Sequence, residues 1–325
     1  MISLACTFLL SFALCGVYLR LARRWQILDT PNARSSHQLP TPHGGGVPML
    51  LAFALGLVLA SLWHGPWPVE YLVLACIALL LMLLGIADVL WDLSVRLRFS
   101  VYTLCSLVAA VSLVPLADPG VAAAVLPVVA FIVLWSMNLY NFMDGIEGLA
   151  AGQCLLACVG GALLSWPGDA QGSDPVFCLR LAASHGGFLL WNWPPARLFM
   201  GDAGSMPTGF LLAGLAVLGA AKGELSPACW LVLLALFITD ASWTLLWRMA
   251  TGQKFTRPHR MHAYQRLSSR WNSHLRVDLL MLVIFLVWLL PLAWMIQIYP
   301  GYTFLLVILA YLPLLYCMAK IRVLP

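Results

Sequence analysis

Three aspartates carry the chemistry this sequence suggests. Asp88, Asp144 and Asp202 lie far apart along the chain, in ADVLWDLSVRLR (87–98), NLYNFMDGIEG (138–148) and WNWPPARLFMGDAGS (191–205). Each stands at or just beyond the end of an apolar run, so a helical bundle could gather all three at one end. Carboxylates brought together repel one another unless a cation offsets their charge. An oxygen-rich site with access to water suits Mg²⁺, or Mn²⁺, which bind one or two carboxylates and complete their shell with water and substrate phosphates. Glycines flank two of these acids, in Asp144-Gly145 and Gly201-Asp202-Ala203-Gly204, and a further run, Gly44–Gly46, enters an apolar segment. Glycine lets backbone N–H groups turn toward an anion, above all where a helix begins, so the pattern points to phosphate handling.

Two other polar stretches join these, DTPNARSSHQLPTPHGGG (29–46) and RPHRMHAYQR (257–266). His259 and His262 are three residues apart and would share a face of a helix. With Arg257, Arg260 and Arg266 they could hold a diphosphate or sugar hydroxyls. The plainer reading is a basic loop against anionic lipid heads. Asp92 would share the face of Asp88 if that segment is helical, or else is a solvated acid near Arg96. Asp240, in FITDASW, is the one acid expected well inside a span, as a hydrogen-bond partner within the bundle or a support beneath the site.

The elements that position these residues follow from composition. The chain has 325 residues, 62% hydrophobic and 10% charged, with mean hydropathy +0.90. That is an all-α polytopic membrane protein, read as a single integral membrane domain over 1–325. Eleven transmembrane helices are expected, at about 2–21, 47–63, 71–87, 99–117, 121–137, 146–166, 176–193, 206–221, 227–247, 277–298 and 302–319. No period-2 alternation supports a lipid-facing barrel. The first segment lacks the basic start of a signal peptide and is taken as a retained helix. The nine cysteines fall in apolar runs without metal-like spacing and read as small buried residues. If segment 20–46 is cytoplasmic, all but Arg180 and Lys222 of the 18 Lys and Arg residues fall on the cytoplasmic side. The N-terminus is then periplasmic, the C-terminus cytoplasmic and the active site in cytoplasmic loops. The net charge of +5 is a topology signal, and no basic folded module suggests nucleic acid.

The five stretches, in this order, resemble the bacterial polyprenyl-phosphate N-acetylhexosamine-1-phosphate transferase superfamily, glycosyltransferase family 4. NLYNFMDGIEGLA is similar to its Asn-x-x-Asn-x-x-Asp-Gly-x-x-Gly signature and FMGDAGS to its Phe-x-Gly-Asp-x-Gly-Ser signature; the 29–46 loop resembles its Asp-x-Pro-Asn…His…Pro-Thr-Pro…Gly-Gly loop. The resemblance covers roughly residues 25–270. It implies transfer of an N-acetylhexosamine 1-phosphate from a UDP-sugar to undecaprenyl phosphate in the bacterial inner membrane, with UMP released. By the same resemblance Asp202 is the main Mg²⁺ ligand, with Asn141 and Asp144 lining the metal and nucleotide pocket. Phe199 would stack near the uracil, Asn138 and Asn192 contact the nucleotide-sugar, and Asp88 sit by the lipid phosphate. His259, His262 and Arg260 would reach the diphosphate or sugar, and Arg34, His37, Thr41 and Gly45 would serve the substrate from the first loop. Two departures stand out. The family's adjacent aspartates are here Asp88-Val89, and RPHRMH is not the histidine-rich run of the peptidoglycan-precursor branch, so the chain looks more like the branch initiating O-antigen or related lipopolysaccharide glycans. The loops do not distinguish GlcNAc, GalNAc, FucNAc or QuiNAc, which differ by a hydroxyl or its orientation. A homodimer through lipid-facing helices is compatible with the sequence. The rival of another class, a secondary transporter of a polar anionic solute, would place polar residues near the bilayer midplane and show repeated halves.

Overall fold

The computed structural model describes residues 2–29, 40–114, 119–165, 173–253 and 260–323. Each expected crossing is helical. In chain order come α1 (Ile2–Arg24), a two-stranded ribbon of β1 (Leu28–Asp29) and β2 (Thr41–Pro42), α2 (Gly46–His64), α3 (Val69–Trp91) and α4 (Val95–Leu113). Next are α5 (Pro119–Met143), α6 (Leu149–Ser165), α7 (Ser173–Asn192) and α8 (Asp202–Lys222). The pair α9 (Pro227–Leu233) and α10 (Ala235–Ala250) is bent by 74°. A short α11 (Ala263–Trp271) precedes α12 (His274–Ile284), which continues through a π-helical turn into α13 (Leu290–Ile298), and α14 (Thr303–Val323) closes the chain.

Among the described residues, eight helices are long and apolar enough to cross a bilayer, or nine if the bent α9–α10 pair is one span. The expected count of eleven is not reached, and the shortfall has a physical reason. Helix α6 has only 17 residues. Helix α7 is long enough but carries Asp174, Arg180, Ser184 and His185, which lower its hydropathy. Those groups face other helices: Arg180 Nη2 donates to Ser3 Oγ (2.6 Å), Ser11 Oγ donates to the Ser184 carbonyl (2.5 Å), and His185 Nε2 lies 3.0 Å from Thr208 Oγ1. Polar side chains turned toward other helices need no lipid-compatible surface, although Arg180 Nε is buried without a partner among the described residues.

Helix α8 is the hub. Of its spanning window 83% is buried, against at most 50% for any other candidate span, and it packs on α2, α3 and α5. Small residues allow the approach. A Cβ on Gly46 would overlap the Cα of Gly204, and one on Gly85 would lie 2.5 Å from the Cα of Ala203. Backbone cannot yield as a flexible side chain can. Gly46→Ala is therefore expected to push α2 off α8 and cost about 1–3 kcal/mol, as overpacking does. Thermal unfolding in detergent would show it as a lowered midpoint, and an unchanged midpoint would contradict the packing described.

Candidate active site

Three short chain reversals assemble one polar end of the bundle. At the first, α3 stops at Asp92, whose left-handed backbone (φ 48°) ends the helix, and Ser94 starts α4 by accepting from the Leu97 N–H (3.3 Å). This turn brings Arg98 back over Asp88. Asp88 Oδ1 accepts from the Leu93 N–H (3.1 Å) and Oδ2 from Arg98 Nη1 (2.6 Å). The same guanidinium nitrogen lies 3.8 Å from Asp202 Oδ2. At the second reversal, α5 ends at Met143. Asn141, in its last turn, donates from Nδ2 to both Asp202 Oδ1 and Ser205 Oγ (2.9 Å each). At the third, Gly201 (φ 72°) opens α8 and puts Asp202 in its first turn, where a carboxylate is favoured by the helix dipole. The outcome is a continuous run Asp88–Arg98–Asp202–Asn141, linking three distant segments.

Asp144 stands just beyond α5. Part of its surface meets solvent, but protein encloses its carboxyl. That desolvation, reinforced by the Asp202 charge, raises its pKa well above the usual carboxylate range, while a hydrogen bond from the Gly201 backbone pulls the other way. The sign of the linkage follows. A carboxyl whose folded pKa lies above its unfolded value binds its proton more tightly when folded, so its contribution falls as pH rises from the ordinary carboxylate range through the raised value. Without divalent cation, the unfolding midpoint should decline over that window, and Asp144→Asn should flatten the slope. A slope unchanged by Asp144→Asn would refute the assignment.

No group of three or more His, Cys, Asp or Glu side chains close enough to ligate a metal occurs among the described residues. Asp202, Asp144 and Asn141 instead offer two carboxylates and one amide oxygen. That is a hard-oxygen set, which fits Mg²⁺ and does not fit a structural zinc site.

Several other expected residues take roles in holding the site. Asn192 is buried, accepting from the Gly148 N–H (2.9 Å) and donating to the Leu198 carbonyl (3.0 Å), so its amide fastens two loops together. Asn138 donates to the Leu134 carbonyl of its own helix (2.8 Å). Thr41 is buried in β2. Two amides of the glycine run are engaged by backbone carbonyls. Gly45 N–H donates to the Phe199 carbonyl (2.8 Å) and Gly46 N–H to the Met200 carbonyl (3.0 Å), while Phe199 N–H donates to the Pro42 carbonyl (2.9 Å). A side chain at Gly45 would also meet Phe188 and Leu198. Segment 42–46 thus pairs with 199–200 and seats half-buried Phe199 at the site's edge.

His262 precedes α11, so the shared helical face expected for His259 and His262 does not arise from this residue. His262 is buried, with Nδ1 3.2 Å from Asp240 Oδ1 and its ring beside Phe142 and Tyr264. Asp240 also accepts from the Ala263 and Tyr264 N–H groups (3.0 Å each) and from Thr244 Oγ1 (3.2 Å). It therefore caps α11 from α10, which settles its role as structural support. Tyr264 Oη in turn donates to the Phe142 carbonyl (2.8 Å) and leaves no space for a Cβ on Gly145. Arg260 is exposed where this segment begins. Arg34, His37 and His259 lie outside the described residues. Asp92 is exposed and has a left-handed backbone that ends α3. Sequence reasoning missed Arg98 as a site residue. The signal was present in its ten-residue spacing from Asp88 across a break, but a helical face cannot be continued through a turn.

Comparison with known proteins agrees with this arrangement. A family model described as glycosyl transferase family 4 matches residues 71–220, the stretch carrying Asp88, Arg98, Asn141, Asp144 and Asp202. The decaprenyl-phosphate N-acetylglucosaminephosphotransferase of Mycobacterium leprae is 31% identical, over 80% of this chain and 74% of that protein. A probable undecaprenyl-phosphate N-acetylglucosaminyl 1-phosphate transferase of Bacillus subtilis is 27% identical, over 78% of this chain and 73% of that protein. A phospho-N-acetylmuramoyl-pentapeptide-transferase of a Synechococcus strain is 32% identical, over 65% and 66%. With the acids gathered at one end of an apolar bundle and relatives matched over most of their length, the chain is a multi-pass membrane transferase and belongs to glycosyl transferase family 4, among the polyprenyl-phosphate N-acetylhexosamine-1-phosphate transferases.

Proposed function

We propose that the protein transfers an N-acetylhexosamine 1-phosphate from a UDP-sugar to undecaprenyl phosphate, releasing UMP, as the first membrane step of O-antigen or a related surface glycan. The polar end of the bundle faces the cytoplasm of a bacterial inner membrane, with the N-terminus outside. The observation that carries this reading is the run Asp88–Arg98–Asp202–Asn141, which puts a guanidinium between two carboxylates beside a third, enclosed acid. Two anionic reactants must meet, so charge neutralisation and alignment are the main demands.

In this reading Asp202, Asp144 and Asn141 would hold Mg²⁺, which would supply positive charge beside the two anionic reactants. Arg98 holds the lipid phosphate. Asp88 orients Arg98 through the 2.6 Å ion pair. A phosphate monoester has a second pKa near 6 and is mostly dianionic at neutral pH, so the nucleophile needs no strong base. A lipid phosphate oxygen forms a bond to the β-phosphorus of the UDP-sugar, the bond from that phosphorus to the bridging oxygen breaks, and UMP leaves with the electron pair. Phe199 at the rim offers a face to the nucleobase. Purified protein given undecaprenyl phosphate, Mg²⁺ and a panel of UDP-N-acetyl sugars should release UMP with one or a few donors and stop in chelator. UMP release independent of lipid, or full activity in chelator, would overturn the proposal. The transporter reading is not favoured, because the relatives matched over most of their length are named as transferases.

A further inference from the structure

A groove of about 580 Å³ runs between α1 and α7. Helix α1 packs on α7 and α2, whereas Asp88, Asn141 and Asp202 come from α3, α5 and α8, so the groove lies on a different flank from the reacting groups. Its floor is aromatic and fixed. Trp191 Nε1 donates to the Phe12 carbonyl (2.9 Å), and the Phe12 and Trp191 rings stack at 5.0 Å and 18°. Gly16 opens the space, since a Cβ there would lie 3.0 Å from the Trp191 ring. Three arginines, Arg20, Arg23 and Arg197, line the same groove at the site's end of the bundle, all exposed. No acid lines the groove, and no carboxylate among the described residues is seen paired with any of the three.

An apolar trough leading to three guanidinium groups that meet no carboxylate among the described residues is complementary to an amphiphile with hydrocarbon chains and an anionic head. We propose that this groove binds an anionic glycerophospholipid, its acyl chain along Phe12, Gly16 and Trp191 and its phosphate among Arg20, Arg23 and Arg197. Which leaflet supplies it rests on the orientation proposed above; the binding does not. A second copy is a poorer occupant, because a twofold contact over this face would bring each chain's arginines toward their equivalents. The reacting polyprenyl phosphate is also a poorer one, because its phosphate must reach Arg98 on α4. A bound head would act on the site indirectly. Arg197 N–H donates to the Trp191 carbonyl (2.8 Å), and two residues on, Phe199 pairs with Pro42 and Gly45, so a phosphate held by Arg197 steadies the loop that leads into Asp202.

Native mass spectrometry of the full chain, released from detergent with equimolar phosphatidylglycerol and phosphatidylcholine, tests the proposal without any dependence on turnover. Phosphatidylglycerol adducts should dominate by about tenfold or more, since each basic residue at a lipid surface gives roughly a fivefold preference. The triple variant Arg20→Gln/Arg23→Gln/Arg197→Gln should bring the ratio near parity. Ala13→Trp, which fills the groove and leaves the charges in place, should reduce total lipid adducts. All four substituted positions are exposed, so folding should survive, and Arg20→Gln/Arg23→Gln alone should give an intermediate ratio. An unchanged preference in the triple variant would overturn the proposal. So would displacement of the lipid by inorganic phosphate, undecaprenyl phosphate adducts that are lost in the triple variant alongside those of phosphatidylglycerol, or adducts confined to a dimer.

Discussion

Asp202→Ala is expected to lower the rate of UMP release by roughly a thousandfold or more while leaving the protein folded. The side chain is 44% exposed and makes no core contact, so little stability is at risk. Its two oxygens, however, sit at the crossing of the site: Oδ1 accepts from Asn141 and Oδ2 faces Arg98. Without them Asn141 keeps only Ser205, and Asp144 loses the neighbouring charge that helps make a divalent cation favourable there. The companion control is Asp92→Asn. Its left-handed backbone tolerates asparagine and its carboxylate faces solvent, so the rate should stay within about twofold of the original. A single-turnover measurement of UMP with saturating UDP-sugar and lipid separates the chemical step from binding. A near-original rate for Asp202→Ala would end the metal assignment.

Asp240→Ala is expected to act chiefly on stability, by about 3 kcal/mol. Asp240 is fully buried and accepts from the Ala263 and Tyr264 N–H groups, Thr244 and His262. Truncation strands two backbone donors at the start of α11 and frees the His262 ring. Asp240→Asn keeps the volume but turns one acceptor into a donor, so its loss should be smaller. The two variants, compared by thermal unfolding in detergent, should rank alanine below asparagine below the original. Since Tyr264 also holds the Phe142 carbonyl next to Asn141, KM for the nucleotide-sugar should rise as well. Equal midpoints for all three proteins would remove Asp240 from its structural role.

The sequence exposed much of the fold because lipid imposes one strong rule: a crossing must be apolar and must satisfy its own backbone. Helices α1 to α4, α7 and α8 could be placed to within a few residues by that rule, while α5 runs on past its expected end to Met143. What hydropathy does not reveal is which groups on other helices Arg180 and His185 of α7 reach. The three acids could be found because acids at the ends of apolar runs are conspicuous. Arg98 could not be singled out, since basic residues crowd the same ends for reasons of topology. The glycine run shows a packing role that residue type alone leaves open. Gly45 and Gly46 are glycines because helices and a paired strand approach closely, and their amides are already engaged by Phe199 and Met200.

The wiring of α7 has a consequence for biogenesis. A segment carrying Asp174, Arg180 and His185 partitions poorly out of a translocation channel by itself, because charged residues near a helix centre oppose insertion. Its partners Ser3 and Ser11 are synthesised before it, but Thr208 comes afterwards, on α8. Chains terminated and released just after Asn192 should therefore integrate α7 inefficiently, and chains released after Lys222 should integrate it well, as reporter glycosylation sites would reveal. On this account the hub helix that carries Asp202 also secures its predecessor in the bilayer during synthesis.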